Sequence, residues 1–293
     1  MKRILITGAN SYIGTSLKKW LMKEPEKYYV DTLDMTNPTW KEKNFSFFDV
    51  VFHVAGIAHV SSKKKKASLY FKINRDLAIH TAIKAKEEGV NQFIFVSSII
   101  IYGKDNKIGD YSHINTDKFL PENAYGQSKY EADQVIQQYS SPYFITSIIR
   151  SPMVYGPGCK GNFLKLVKAA MKLPIIPNIY NQRSMIYIDN LCELVRLIID
   201  YNEGGVFYPQ NSEYVSTTKL IEDIRHIRGK KIKKSKILVP IFRFLSLVFP
   251  VINKIFGNKT YINELSQHFH NNYILYNYNE SLIMTMESIN QNN

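Results

Sequence analysis

The chain opens with "RILIT", Arg3 to Thr7, which runs straight into the turn "TGANSYIG" and then into a helical pattern. Almost every residue of that first run is apolar or β-branched. A strand with one wet face would alternate polar and apolar residues. This one asks for burial on both faces, which parallel sheets flanked by helices provide. Tyr28 to Leu33, Asp49 to Ala55, Gln92 to Ser98 and Phe144 to Arg150 read the same way, and helical patterns near residues 12–23, 69–88 and 123–139 fall between the runs. That βαβ order predicts an α/β fold on a parallel, doubly wound sheet. After Cys159 the chain turns to short helices and loops, with turn signals at "PGCKG" and "NEGG". A first domain over residues 1–158 and a smaller one over 159–293 are therefore expected, and 293 residues suffice to bury both cores.

The formal net charge of +13 raises nucleic acid and anionic membrane surfaces as partners. The excess is concentrated in "KKKK", Lys63 to Lys66, and in "RHIRGKKIKKSK", which holds Arg225, Arg228, Lys230, Lys231, Lys233, Lys234 and Lys236. Neither run is interleaved with aromatics for base stacking, so no nucleic-acid partner is expected. The apolar segment Ile237 to Phe256 carries Arg243 within it and is interrupted by Pro240 and Pro250. A membrane-spanning helix, with its need for about 20 uninterrupted apolar residues, is disfavoured. Two readings stay open: weak association with an anionic membrane surface, or packing on the C-terminal domain or a second subunit. The two cysteines, Cys159 and Cys192, form no disulfide framework and suit a reducing compartment. The strand pattern begins at once after Met1, leaving no room for a signal peptide. A cytoplasmic location is expected, and no metal site.

Gly8 and Gly14 bracket the first turn, with Ser11 where a third glycine often stands. A tight glycine turn lets backbone N–H groups approach a pyrophosphate at the start of a helix. Asp34, at the end of the second strand, follows Gly14 by 20 residues. An acidic residue there bonds an adenosine ribose and repels a 2′-phosphate. NAD(H) is thus the expected cofactor, with NADP(H) as the alternative.

In "NAYGQSKYEA", Tyr125 and Lys129 stand four residues apart, on one face of a helix. An ammonium beside a phenol favours the phenolate, so the tyrosine should titrate below roughly 10 and pass protons to a sugar hydroxyl or ketone. Ser97 and Ser98 close the fourth strand at its carboxyl edge, where open α/β sheets bind ligands. A serine, a tyrosine and a lysine are expected to converge there.

These motifs resemble those of the extended short-chain dehydrogenase/reductase family, the NAD-dependent nucleotide-sugar epimerases, dehydratases and reductases. The resemblance covers about residues 1 to 210 and rests on "TGANSYIG", "DVVFHVAG", "FVSSIIIYG", "YGQSK", "RSPMVYGPG" and "QRSMIYIDN". Within the family the chain is similar to capsule-locus proteins that act on UDP-sugars, through "AGIAHV", "GPGCKGNF", "PIIPNIYNQRSMIYIDNL" and "FGNKTYINEL". The resemblance implies a Rossmann-type domain holding the cofactor and a smaller C-terminal region holding the nucleotide sugar. It implies that Tyr125 is the acid/base, that Lys129 lowers its pKa and holds the nicotinamide ribose, and that Ser98 bonds the sugar's reacting oxygen. Gly8, Ser11, Gly14 and Asp34 match the cofactor fingerprint. Tyr12 and Ile13 would cover the pyrophosphate, while Val54, Ala55, Gly56 and Asn74 would line the cofactor. Asn162 and Arg183 match positions that bind the nucleotide diphosphate, and His59 is expected against the substrate. The Arg183 side chain, taken alone, fits a surface ion pair equally well. A homodimer is common in the family.

Family dehydratases carry an Asp-Glu pair after the catalytic hydroxyl residue; Ile99 and Ile100 stand there in this chain and cannot move protons. Dehydration is not expected. The short chain and the capsule-locus resemblance point to a UDP-4-keto-6-deoxy-hexosamine 4-reductase in surface polysaccharide synthesis. The alternative is a UDP-glucose or UDP-N-acetylglucosamine 4-epimerase. A non-catalytic nucleotide-binding protein or a membrane-surface adaptor is the alternative of another class, and the presence of both Tyr125 and Lys129 counts against it.

Overall fold

The computed structural model describes residues 1–58 and 66–291. His59 and Lys63 to Lys65 lie outside the described residues. The first half of the chain runs β1 (Lys2–Thr7), α1 (Tyr12–Leu21), β2 (Tyr28–Leu33), β3 (Val50–His53), α2 (Lys66–Tyr70), α3 (Leu77–Glu87), β4 (Gln92–Ser98), α4 (Ala124–Gln138) and β5 (Ile145–Ser151). The second half runs β6 (Met153–Tyr155), α5 (Asn162–Lys172), β7 (Ile175–Pro177), β8 (Met185–Tyr187), α6 (Ile188–Asp200), β9 (Gly205–Phe207), α7 (Thr217–Ile227), β10 (Lys233–Ser235), α8 (Leu238–Val248), α9 (Pro250–Phe256) and α10 (Tyr278–Gln291).

Six strands form one sheet in the order β2-β1-β3-β4-β5-β9, every pair parallel. The chain leaves β1 for β2 on one side and returns to β3 on the other, so the topological switch lies between β1 and β3. The continuous apolar runs feed two cores at once. Ile4, Ile6, Val50, Phe52, Ile94, Val96 and Ile149 point to one face, where α1 and α6 supply Leu17, Leu21, Leu191, Leu194 and Ile198. Leu5, Val51, Phe93, Phe95 and Ile148 point to the other, against Ala78, Ala82 and Ala85 of α3 and Ala132 and Ile136 of α4. The period of two along each strand thus explains a sheet covered on both faces. This is the doubly wound, Rossmann-like fold that the strand pattern predicts.

The later chain builds two small parallel pairs, β10 with β7 and β6 with β8, and the helices around them. It also returns to the large sheet: β9 pairs with β5, and α6 covers the face shared with α1. No helix among the described residues is long and apolar enough to cross a membrane.

Candidate active site

A cleft of about 330 Å³ opens at the carboxyl edge of the sheet, lined by residues that follow β1, β3, β4 and β5. Ser11, Tyr12, Ile13, Val54, Gly56, Ser98, Tyr125 and Lys129 from the sequence-based set all line it. Ile57, Ala58, Val96, Ser97, Ser151, Pro152 and Val154 complete the wall. Among the described lining residues Lys129 is the one cation, and none is a carboxylate.

The floor is shaped by close backbone approach. Gly8 has φ +96°, and a Cβ there would lie 2.8 Å from the Ala55 backbone nitrogen, so the first turn and the end of β3 touch with no room for a side chain. Ser11 caps α1: its Oγ accepts a hydrogen bond from the Gly14 N–H at 3.0 Å. The serine in place of a glycine therefore starts the helix whose N-terminus faces the cleft. Asp34 stands at the end of β2, exposed, and its carboxylate accepts from the Thr36 backbone N–H at 2.9 Å and hydroxyl at 2.7 Å. Those bonds hold it below the usual carboxylate range.

Asn74 lies behind the wall, fully buried, in a wide π-type turn between α2 and α3. Its Oδ1 accepts from the Ile57 N–H at 2.8 Å and its Nδ2 donates to the Ile57 carbonyl at 3.0 Å. One side chain so replaces a strand partner for the segment after β3. A Cβ on Gly56 would meet Asn74 Oδ1 at 3.1 Å and Lys129 Nζ at 3.5 Å, which packs this corner tightly.

Asn123 caps α4 by accepting from the Gly126 N–H at 2.9 Å, which sets Tyr125 in the first turn and Lys129 one turn later. Tyr125 is half-buried, with the Tyr70 ring 5.7 Å away. Burial pushes its phenol above the ordinary value, and the Ser98 side chain offsets part of that rise. The expectation that Lys129 lowers it is corrected here. Lys129 Nζ donates to the Val96 carbonyl at 2.8 Å and lies 4.7 Å from the Phe95 ring centroid. Burial pushes the lysine down to about 8, against a smaller upward pull from Asp133.

Two features of the cleft fit a dinucleotide. The contact between Gly8 and Ala55 makes the bare turn that a pyrophosphate needs. Ser97 Oγ and Tyr12 Oη, both lining the cleft, are buried and have no hydrogen-bond partner among the described residues. Gly8, Gly14, Ala55 and Asn74 shape the cleft from behind. Asn162, exposed at the start of α5, and Arg183 do not line it. Arg183 Nη2 pairs with Asp105 at 2.7 Å and Nη1 donates to the Gly257 carbonyl at 3.2 Å. Sequence reasoning passed over Ser151 and Pro152, although "RSPMVYGPG" held them; the register that sets Ser98 beside Ser151 brings them in. His53 does not line the cleft: it is wholly buried, with Thr7 Oγ1 at 2.8 Å, and burial pushes it down to about 3.

Comparison with known proteins identifies the family. The family model described as NAD dependent epimerase/dehydratase family matches residues 4–208. A UDP-glucose 4-epimerase of Vibrio cholerae is 29% identical over 288 residues, covering 90% of this chain and 85% of that one. An N-acetyl-alpha-D-glucosaminyl-diphospho-ditrans,octacis-undecaprenol 4-epimerase of Escherichia coli O157:H7 is 24% identical, covering 87% of this chain and 81% of that one. Among solved structures, the UDP-glucuronic acid 4-epimerase of Bacillus cereus in complex with NAD superposes with a TM-score of 0.75 at 19% identity, covering 99% of both chains. That last likeness is one of fold. With the family model covering more than half of its length, the chain belongs to the NAD-dependent epimerase/dehydratase family.

Proposed function

We propose that the protein binds NAD(H) in the cleft and catalyses hydride exchange at C4 of a UDP-linked hexose or hexosamine, as a 4-epimerase. The observation that carries this reading is the convergence of Ser98, Tyr125 and Lys129 on one cleft at the carboxyl edge of the sheet, with no carboxylate among its described lining residues. A bound nicotinamide supplies hydride transfer. Tyr125 would then take or return the proton of the C4 oxygen, Ser98 would hold that oxygen, and Lys129 would face the cofactor ribose. Ile99 and Ile100, next to Ser98, offer no acid and base for dehydration.

Near full-length similarity to two 4-epimerases supports epimerisation over one-way reduction. The second reading, a reductase of a 4-keto-6-deoxy hexosamine in capsule or O-antigen synthesis, rests on the resemblance to capsule-locus proteins in "AGIAHV" and "GPGCKGNF". Both use the same residues. A polyprenyl diphosphate carrier belongs in the test alongside UDP, because the Escherichia coli relative is named for such a substrate.

Purified protein is incubated without added NADH with UDP-glucose, with UDP-N-acetylglucosamine and with undecaprenyl-diphospho-N-acetylglucosamine, and the sugars are resolved by NMR. Interconversion of gluco and galacto forms is the expected result. In a separate arm with added NADH, stoichiometric NADH loss with a UDP-4-keto-6-deoxy hexosamine, together with no interconversion in the first arms, would replace epimerase by reductase. Silence in every arm would reject C4 chemistry on these sugars.

A further inference from the structure

We propose that α8 and α9 dock the protein on an anionic membrane surface, an inference independent of the C4 reading. α8 has a well-anchored inner side, where the Phe242 ring meets Phe256 edge-on at 5.5 Å and Ser246 is buried. Its outer side carries Ile237, just before the helix, then Ile241, Phe244 and Val248 at helical spacing, with Leu247 beside them. Ile237 is 80% exposed, and Phe244 and Leu247 are each 68% exposed. α9 adds Val251 and Ile255, also exposed and one turn apart. With Phe249 between the helices, eight large apolar side chains in one short stretch exceed the scattered exposure normal for a protein surface.

Charge identifies the occupant. From Ile224 to Asn263 the sequence holds ten Lys and Arg residues and no Asp or Glu. Lys259 is buried, its ammonium on the Gly103 carbonyl; Lys234 pairs with Glu222; Arg225 bonds the carbonyls of Ala170, Leu173 and Lys231. Lys230, Lys231, Lys233, Lys236, Arg243 and Lys254 remain exposed, within and just before the two helices in the chain. A second copy on this face would set cations against cations. Anionic lipid matches both features: headgroups meet the lysines while the apolar stripe enters the acyl boundary. The two helices, of 11 and 7 residues, lie on a bilayer and do not span it. Each basic residue at such a surface strengthens partition about fivefold.

The element is joined to the substrate side of the fold. The Gly257 carbonyl, directly after α9, accepts from Arg183, and the neighbouring Asn258 side chain bonds the Asp110 carbonyl in the segment that follows Ser98. Docking would therefore bring that side of the molecule to the membrane.

The test uses the full chain with vesicles of phosphatidylcholine, alone and mixed with phosphatidylglycerol, read by sedimentation. The mixed vesicles should bind the protein about tenfold more tightly or better, and high salt should weaken that binding. Replacing Phe244→Asp and Leu247→Asp together should cost at least about tenfold while NAD binding is kept. Phe244→Trp preserves the apolar stripe, and its fluorescence should be quenched by brominated lipid; this arm stands even where the aspartate variant fails to fold. Equal binding to both vesicles, no binding, or an unquenched Trp would overturn the proposal. A concentration-dependent dimer that the aspartate variant dissolves, without vesicle binding, would assign the face to a second copy.

Discussion

Lys129 donates to the Val96 carbonyl, 2.8 Å away, and not to the phenol of Tyr125 one turn earlier on α4. A buried ammonium is thereby held by a strand-end carbonyl and the Phe95 ring. The Tyr125 ring instead lies beside Tyr70, 5.7 Å between centroids, and the Ser98 side chain offsets part of the rise that burial gives its phenol. The two residues read as a pair in the sequence both line the cleft, yet the ammonium is bonded to the strand and not to the phenol.

The buried cation has a thermodynamic signature. Folded Lys129 releases its proton near pH 8, whereas the unfolded chain keeps it to about 10.5. Below pH 8 both states are protonated and the full burial penalty stands; between 8 and 10.5 the unfolded state binds the extra proton, so stability rises with pH. Lys129→Met removes the charge and keeps an unbranched chain. It should be more stable than wild type at pH 7, by on the order of 1–3 kcal/mol, with the gap closing by about pH 10. Urea unfolding of both proteins across this range is the check. A gap that does not change with pH would refute the depressed lysine.

Tyr125→Phe should lower turnover by roughly 10²- to 10⁴-fold, the usual worth of a positioned proton-transfer group. The ring keeps its contact with Tyr70, so the fold should be unaffected. NAD affinity should hardly change, because Lys129 and Asn74 remain in place. Equilibrium cofactor titration beside a steady-state assay separates the two effects. Near-normal turnover would remove Tyr125 from the acid/base role.

The sheet was legible because burial on both faces leaves a continuous apolar run, and the cleft was legible because glycines and a helix cap must stand where strands end. Ser11 illustrates both: its small side chain marked the turn, yet its role as the α1 cap depends on a bond to Gly14 that residue type alone leaves open. The titration of Tyr125 was misread because i, i+4 spacing fixes a shared face but not the direction of a long side chain. Ser151 was missed because sheet register, a long-range property, brings it to the edge. The exposed face of α8 was ambiguous for the same reason: an apolar helix reads alike whether it packs inward or faces out.

The Asp133–Arg150 pair was also invisible in the sequence, and it supports the wall from behind. Arg150 grips both carboxylate oxygens, at 3.0 and 2.7 Å, and bonds the hydroxyls of Tyr102 and Tyr208 at 2.7 and 3.0 Å. Asp133→Asn leaves a buried guanidinium uncompensated and should destabilise the protein by about 3–5 kcal/mol. It should also lower the Lys129 pKa further, since Asp133 is the group that raises it. Thermal unfolding checks the first outcome. Replacing both partners, Asp133→Leu with Arg150→Met, should recover much of the loss; failure of both the single and the double variants to differ from wild type would mean that the pair contributes nothing.

Arg183 decides whether the diphosphate site implied by the resemblance can form. Its side chain is largely buried and already ion-paired with Asp105, so a phosphate would compete with that carboxylate for the same guanidinium. The fork has five N–H donors, and the bonds to Asp105 and Gly257 leave several for a ligand, but the nearby negative charge opposes an anion. Asp105→Asn keeps the shape and removes that charge. If Arg183 serves the diphosphate, this variant should bind UDP several-fold more tightly, and Arg183→Lys, which loses the fork, should bind it about tenfold more weakly. Arg183→Ala would report less clearly, because it strands Asp105 and should cost about 1–3 kcal/mol of stability on its own. Calorimetric UDP titrations of the first two variants make the measurement. Unchanged affinity in both would leave Arg183 as the clasp that ties Asp105 to Gly257, and the diphosphate would have to be held by other residues.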